Sequence, residues 1–254
     1  MTEPVSLDDV LTRLRSCVWV DLTHAFGPGI PHYPAFPDEE RETLFHFDEG
    51  VGSVGTGFLA HRFSHIGQWG THVDPPAHFA RGGRFLDDVP VQEMILPLVV
   101  LDVRRQVAAD ADYAVTVSDL EAHEAEHGTI PAGAFVALHT GWAHRWPDGT
   151  AMANRDVEGV AHTPGWGVPA LTFLVEQRDV TAIGHETADT DPGALVSSGC
   201  PAETYVLGAD TWQIEMLTGL DQVPPTGALI VATWPKPREG SGFPARAFAI
   251  IDRA

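Results

Sequence analysis

The chain has 254 residues, 44% of them hydrophobic, enough to bury one sizeable core, so a single domain over residues 1–254 is expected. A formal charge of −20, from 35 acidic against 15 basic residues, repels phosphate backbones and anionic membranes and argues against a nucleic-acid or membrane partner. Two distant cysteines, Cys17 and Cys200, exclude a disulfide framework and a thiolate zinc site. With no signal-like start and no run of about 20 apolar residues, a cytoplasmic protein is expected.

Ser6 and Asp9 ahead of Val10, Leu11 and Leu14 predict a short capped helix, followed by a strand over Cys17–Leu22. Between Gly27 and Pro37 four prolines and two glycines exclude helix and central strand, which leaves a surface loop. Short β-branched runs bounded by Pro and Gly predict strands over Pro97–Val103, Phe135–Gly141, Val180–Glu186, Ala228–Pro235 and Ala245–Asp252. Between them, Ser118 with Glu121 predicts a capping box for a helix closed by Gly128 and Pro131, and Val168–Arg178 predicts a second, amphipathic helix. Strands alternating with helices indicate an α/β domain with a mixed β-sheet core and flanking helices.

The chemistry concentrates in GQWGTHVDPPAHFARGG, residues 67–83. On an extended stretch His72 and Asp74 share one side, and Gln68 and His78 fall at even offsets from them, while Pro75 and Pro76 stiffen the segment and oppose helix. An imidazole and a carboxylate suit Zn²⁺ or Mn²⁺, and a Gln68 oxygen tips the preference towards Mn²⁺. His78 is a ligand or a general base. The alternative is that His72 bonds a loop carbonyl, Asp74 caps a turn, and no ion is held.

The run Gly70-Thr71-His72-Val73-Asp74-Pro75-Pro76-Ala77-His78 resembles the signature of the metal-dependent cyclase-like hydrolases, the family of kynurenine formamidase and isatin hydrolase type. The resemblance extends to Asp21-Leu-Thr-His24, His139-Thr-Gly-Trp142, Glu215-Met-Leu-Thr-Gly-Leu-Asp221 and Gly242-Phe-Pro244-Ala-Arg246. It implies a swivelling β/β/α-type domain and a divalent metal cofactor, with Mn²⁺ favoured and Zn²⁺ the alternative. It also implies a small-molecule substrate and a homodimer or higher homo-oligomer. Position by position, the family's metal ligands fall on Gln68, His72 and Asp74, its catalytic histidine on His78, and its second-metal pair on Glu203 and Glu215. Gln68 and Glu203 stand where the family has histidines, so a single metal held by His72, Asp74 and Gln68 is preferred to a two-zinc centre, with Glu215 a further ligand or an acceptor beside it.

His185, at the end of a predicted strand, also departs from the family pattern; it is assigned with Phe36, Trp69 and Trp142 to the substrate pocket. His24 and His65 are read as structural, and His123 and His127, four apart among glutamates, as surface residues. The activity implied is hydrolysis of an amide, lactam or lactone. Ring closure or dehydration in aromatic polyketide assembly, and a non-catalytic metal-binding homologue, are the alternatives.

Overall fold

The computed structural model describes residues 5–47 and 57–253. Helix α1 (Leu7–Ser16) begins at the expected Ser6 cap, with Asp9 closing a reciprocal capping box. Strand β1 (Val18–Asp21) follows, and after the proline-rich loop β2 (Glu40–Phe45) pairs antiparallel with β3 (Ala60–Ser64) in a separate two-stranded sheet. Next come β4 (His72–Asp74), β5 (Ile95–Asp102), α2 (Arg104–Ala109), β6 (Ala114–Val115), α3 (Val117–His127) and β7 (Phe135–His139). The chain continues through α4 (Gly149–Ala153), β8 (Gly165–Trp166), α5 (Val168–Thr172) and β9 (Ala182–His185). It ends with α6 (Gly193–Val196), α7 (Pro201–Gly208), β10 (Trp212–Glu215), β11 (Ala228–Thr233), β12 (Phe243–Pro244) and β13 (Arg246–Ile251).

Among the described residues, nine strands form one sheet in the order β1-β13-β11-β5-β7-β9-β10-β4-β12. The central run β5-β7-β9-β10 is parallel and both flanks are antiparallel, which is the mixed α/β arrangement anticipated. Alternation divides the side chains between two cores. Phe135, Ala137, Ala182, Trp212, Ile214 and Val73 fill one face, while Val136, Leu138 and Ile183 pack on the other against Leu171 of α5 and Val206 of α7. Gly184 sits where a Cβ would come within 2.6 Å of the Phe135 ring, so only glycine lets β9 lie this close to its neighbour.

Several local expectations are corrected. Thr116 and Asp119 form the capping box of α3, two residues before the expected pair. Asp119 also accepts from the Tyr113 hydroxyl, which anchors the cap to the preceding turn. The predicted helix over Val168–Arg178 runs as α5 and then opens into a π-turn over Phe173–Gln177. Strands β2, β3, β6, β8, β10 and β12 lie outside the expected runs: charged and polar residues interrupt the apolar pattern of β2, β3 and β10, and β6, β8 and β12 are only two residues long. Cys17 and Cys200 are both free thiols, and no described helix is long and apolar enough to cross a membrane.

One buried carboxylate ties the strand ends together. Just after β9, Glu186 Oε2 accepts from the backbone N–H groups of Thr140, Gly141 and Trp142 at 2.7, 2.6 and 3.2 Å and from the Thr140 hydroxyl at 2.8 Å. It thereby satisfies the donors of the turn that leaves β7. Glu186→Ala leaves the Thr140 and Gly141 N–H groups without their acceptor, Trp142 N–H retaining the Thr140 hydroxyl oxygen, with an expected loss of about 3 kcal/mol of stability, read as a lower midpoint in urea unfolding at unchanged slope.

Candidate metal centre

The motif around His72 is held by its neighbours. Gly70 adopts φ +61°, and a Cβ there would meet the Phe26 Cβ at 2.9 Å. The Thr71 hydroxyl donates to the Met216 carbonyl at 2.6 Å and accepts from His24 N–H at 2.9 Å, which fastens the turn to two distant segments. Beyond it β4 pairs with β10 so that His72 lies opposite Glu215 and Asp74 opposite Gln213. Val73, Trp212 and Ile214 point into one core, so these four polar side chains share the other face.

His72 Nδ1 donates to the Gly70 carbonyl at 2.8 Å. This is the loop-carbonyl bond of the non-metal reading, but it fixes the tautomer that turns a lone pair on Nε2 towards the cluster. Nε2 is buried without a hydrogen-bond partner, 3.3 Å from Asp74 Oδ2 and 3.4 Å from Glu215 Oε2. One ligand-capable atom from each of His72, Asp74 and Glu215 lies within 4.8 Å of the others, and an overlapping group of Asp74, His78 and Glu203 meets the same limit. An orphaned imidazole nitrogen between two buried carboxylates fits a divalent ion.

The charges agree with that fit. Burial works against a charged His72, yet Asp74 and Glu215 prevail and raise its pKa well above the ordinary value, so without an ion Nε2 carries a proton that a cation would displace to free the lone pair. Burial raises Glu215 to about 8 and, reinforced by Glu215 and Asp74, raises Glu203 to about 10. Glu203 and Glu215, gathered out of water, hold protons unless a cation replaces them, whereas Asp74, despite its burial, is held at about 2 by His72 and stays ionised.

Gln68 is placed differently from the expected oxygen ligand. Its amide nitrogen donates to Asp74 Oδ1 at 2.9 Å and to the Ser241 carbonyl at 2.8 Å, so it orients the aspartate. Both N–H groups are then used, and His78 Nδ1 at 3.5 Å is only a neighbour. A Cβ at Gly242 would stand 2.0 Å from this nitrogen, so glycine is required for the approach. His78 reaches the cluster through a 3₁₀ turn over Pro76–His78, so the stretch is extended through β4 and turned beyond the proline step. Pro76 opens that turn at its first position, where a missing N–H costs nothing.

The expected substrate-pocket residues separate. Trp69 and Trp142 are 0% and 2% exposed; Trp142 donates its indole N–H to Met152 at 2.9 Å beneath the Arg145 guanidinium, and Trp69 lies against the His32 ring. Both are buried walls of the domain. His185 is fully buried as well: Nδ1 donates to the Thr187 carbonyl at 3.1 Å and Nε2 lies 3.6 Å from Glu215 Oε1, beneath the cluster and away from solvent. Burial holds its pKa at about 4, so the ring is neutral. Phe36 alone stays half-buried, edge-on to Tyr33.

His24 stacks on Trp146 and His65 bonds the Ile66 carbonyl, consistent with structural roles. His123 is buried, contrary to the surface reading, because its side of α3 faces the sheet. Asp191 accepts from Ala202 and Glu203 N–H and starts α7, which carries Glu203 to the site. The residue missed in the sequence is Gln213, fully buried among the carboxylates; an amide between Trp212 and Ile214 carries no motif, and only its register opposite Asp74 reveals it.

The family model described as putative cyclase matches residues 20–192. An isatin hydrolase of Roseibium aggregatum is 32% identical over 245 residues, 92% of each chain. A kynurenine formamidase of Salinibacter ruber is 25% identical over 228 residues, 90% of this chain and 95% of the relative. Among solved structures, isatin hydrolase A from Ralstonia solanacearum superposes with a TM-score of 0.88 at 33% identity, covering 99% of both chains. On the extent of the family match and of these alignments, together with the strand pairing that assembles the cluster, the chain belongs to the putative cyclase family.

Proposed function

We propose that this protein is a metal-dependent hydrolase that opens an amide bond, a cyclic amide fused to an aromatic ring being the favoured substrate. The observation that carries the reading is the unpartnered Nε2 of His72 set between the carboxylates of Asp74 and Glu215. The likeness to isatin hydrolases along nearly the whole chain supports the substrate class.

His72, Asp74 and Glu215 would hold the divalent ion, and the oxygen-rich set favours Mn²⁺ over Zn²⁺. When bound, the ion supplies Lewis acidity that polarises a carbonyl and lowers the pKa of a water from about 15.7 towards about 7. Gln68 fixes Asp74, and His78, half-buried beside it, accepts the proton of the attacking water and returns it to the nitrogen as the C–N bond breaks. The products are a carboxylate and a free amine on one opened molecule.

Exposed apolar side chains on β2, on β3 and at Phe58, two residues ahead of β3, support self-association with a second copy. Leu44, Phe45, Phe58 and Phe63 are 44%, 42%, 44% and 49% exposed. A single two-stranded sheet is marginal in water unless another surface covers it.

Four outcomes test these readings. Exhaustive chelation should abolish hydrolysis of isatin or N-formylkynurenine, with Mn²⁺ restoring it; full activity in metal-free protein would sink the metal reading. Glu215 has a pKa of about 8 when folded, above its unfolded value, so its contribution is present at low pH and lost as pH rises towards 8. Metal-free protein should therefore melt at lower temperature as pH rises through that window, and Mn²⁺ should reverse the trend. His78→Ala should lower kcat by about 10²–10⁴-fold while Mn²⁺ affinity stays unchanged; loss of the ion would make it a ligand. Light scattering should give a dimer or larger for the native chain and a smaller species for Phe45→Glu combined with Phe63→Glu, and a native monomer would refute self-association.

A further inference from the structure

Gln213 occupies the centre of the buried acidic cluster. Its side chain is 0% exposed, and its amide nitrogen lies 3.0 Å from Glu203 Oε1, 3.1 Å from Glu215 Oε1 and 3.4 Å from Asp74 Oδ2. Its carbonyl oxygen accepts from the Thr190 hydroxyl at 2.7 Å. That bond fixes the amide: turned over, the carbonyl would face three carboxylates and the amide nitrogen would face the hydroxyl. An amide nitrogen has two hydrogens. They serve the two shorter contacts and leave Asp74 Oδ2 free to face His72 Nε2.

Other residue types here would give different sites. A lysine would neutralise the carboxylates and remove their demand for an ion. An apolar residue would leave them without a donor. A glutamine holds two of the acceptors, Glu203 and Glu215, in place and adds no charge, so the negative field stays available to a divalent cation.

We propose that Gln213 is a positioning residue that aligns Glu203 and Glu215 beside Asp74 for a divalent ion without neutralising them, and that it thereby sets both the affinity and the preference for Mn²⁺ over Zn²⁺. The proposal rests on the metal-centre reading above. Selectivity follows from coordination number: an octahedral ion needs more oxygens held in place than a tetrahedral one, so loosening the carboxylates penalises Mn²⁺ more than Zn²⁺.

The test is calorimetric titration of metal-free full-length protein with MnCl₂ and, separately, ZnCl₂. Gln213→Met, close in volume but without donors, should weaken Mn²⁺ binding by about 10–100-fold, the range for partners that orient metal ligands, and weaken Zn²⁺ binding less. Thr190→Val, which releases the amide and preserves packing, should shift both affinities in the same direction by a smaller factor, and it carries the test if Gln213→Met does not fold. Gln213→Lys should keep the native circular-dichroism spectrum and bind neither ion. Unchanged affinities and an unchanged Mn²⁺ to Zn²⁺ ratio in a folded Gln213→Met or Thr190→Val variant would overturn the proposal alone. A wild-type protein that binds neither ion would overturn the metal-centre reading and this proposal with it.

Discussion

Asp74, Glu203 and Glu215 are buried within reach of one another at one end of the sheet, and like charges removed from water repel strongly. The polar architecture around them answers that constraint. His72 supplies a nitrogen between two of the acids, and Gln68 and Gln213 supply neutral donors from opposite sides. Protons or a divalent cation must supply the remaining positive charge. An apolar core of the same shape would be more stable, so the arrangement is a sign of function bought at the expense of stability.

The sheet makes this cluster possible. Four parallel strands deliver Asp102, His139, His185 and Glu215 to one edge, and the antiparallel β4 lays His72 and Asp74 directly across from Glu215 and Gln213. Tryptophans and branched aliphatic residues at the alternate positions press the strands together on the far face. Glu186, bound to the turn after β7, fixes the neighbouring strand ends, and Asp191 starts the helix that brings Glu203 over the cluster.

Gln68 illustrates how one side chain can be right in place and different in role. Its spacing from His72 and Asp74 put it at the site, but its amide nitrogen is drawn to Asp74 and to the Ser241 carbonyl by acceptors that lie 6 and 173 residues away. His185 shows the same division. Its strand-end position was legible, whereas its neutral ring, locked by Thr187 and closed off from solvent, depends on the burial around it.

By itself the sequence determined the main strands β5, β7, β9, β11 and β13, the capped first helix, and the proximity of His72, Asp74 and His78, because these follow from local periodicity, capping chemistry and a stiff proline step. It also carried the family signature that the alignments later matched. Only the tertiary structure decided that Glu215 and Gln213 face β4, that Glu203 descends from α7, and that Trp69 and Trp142 are walls. Those facts depend on strand register and on contacts across 10 to 145 residues, as between Gln213 and Glu203 or Thr71 and Met216. Local residue pattern does not encode them, since register is set by packing of the whole sheet.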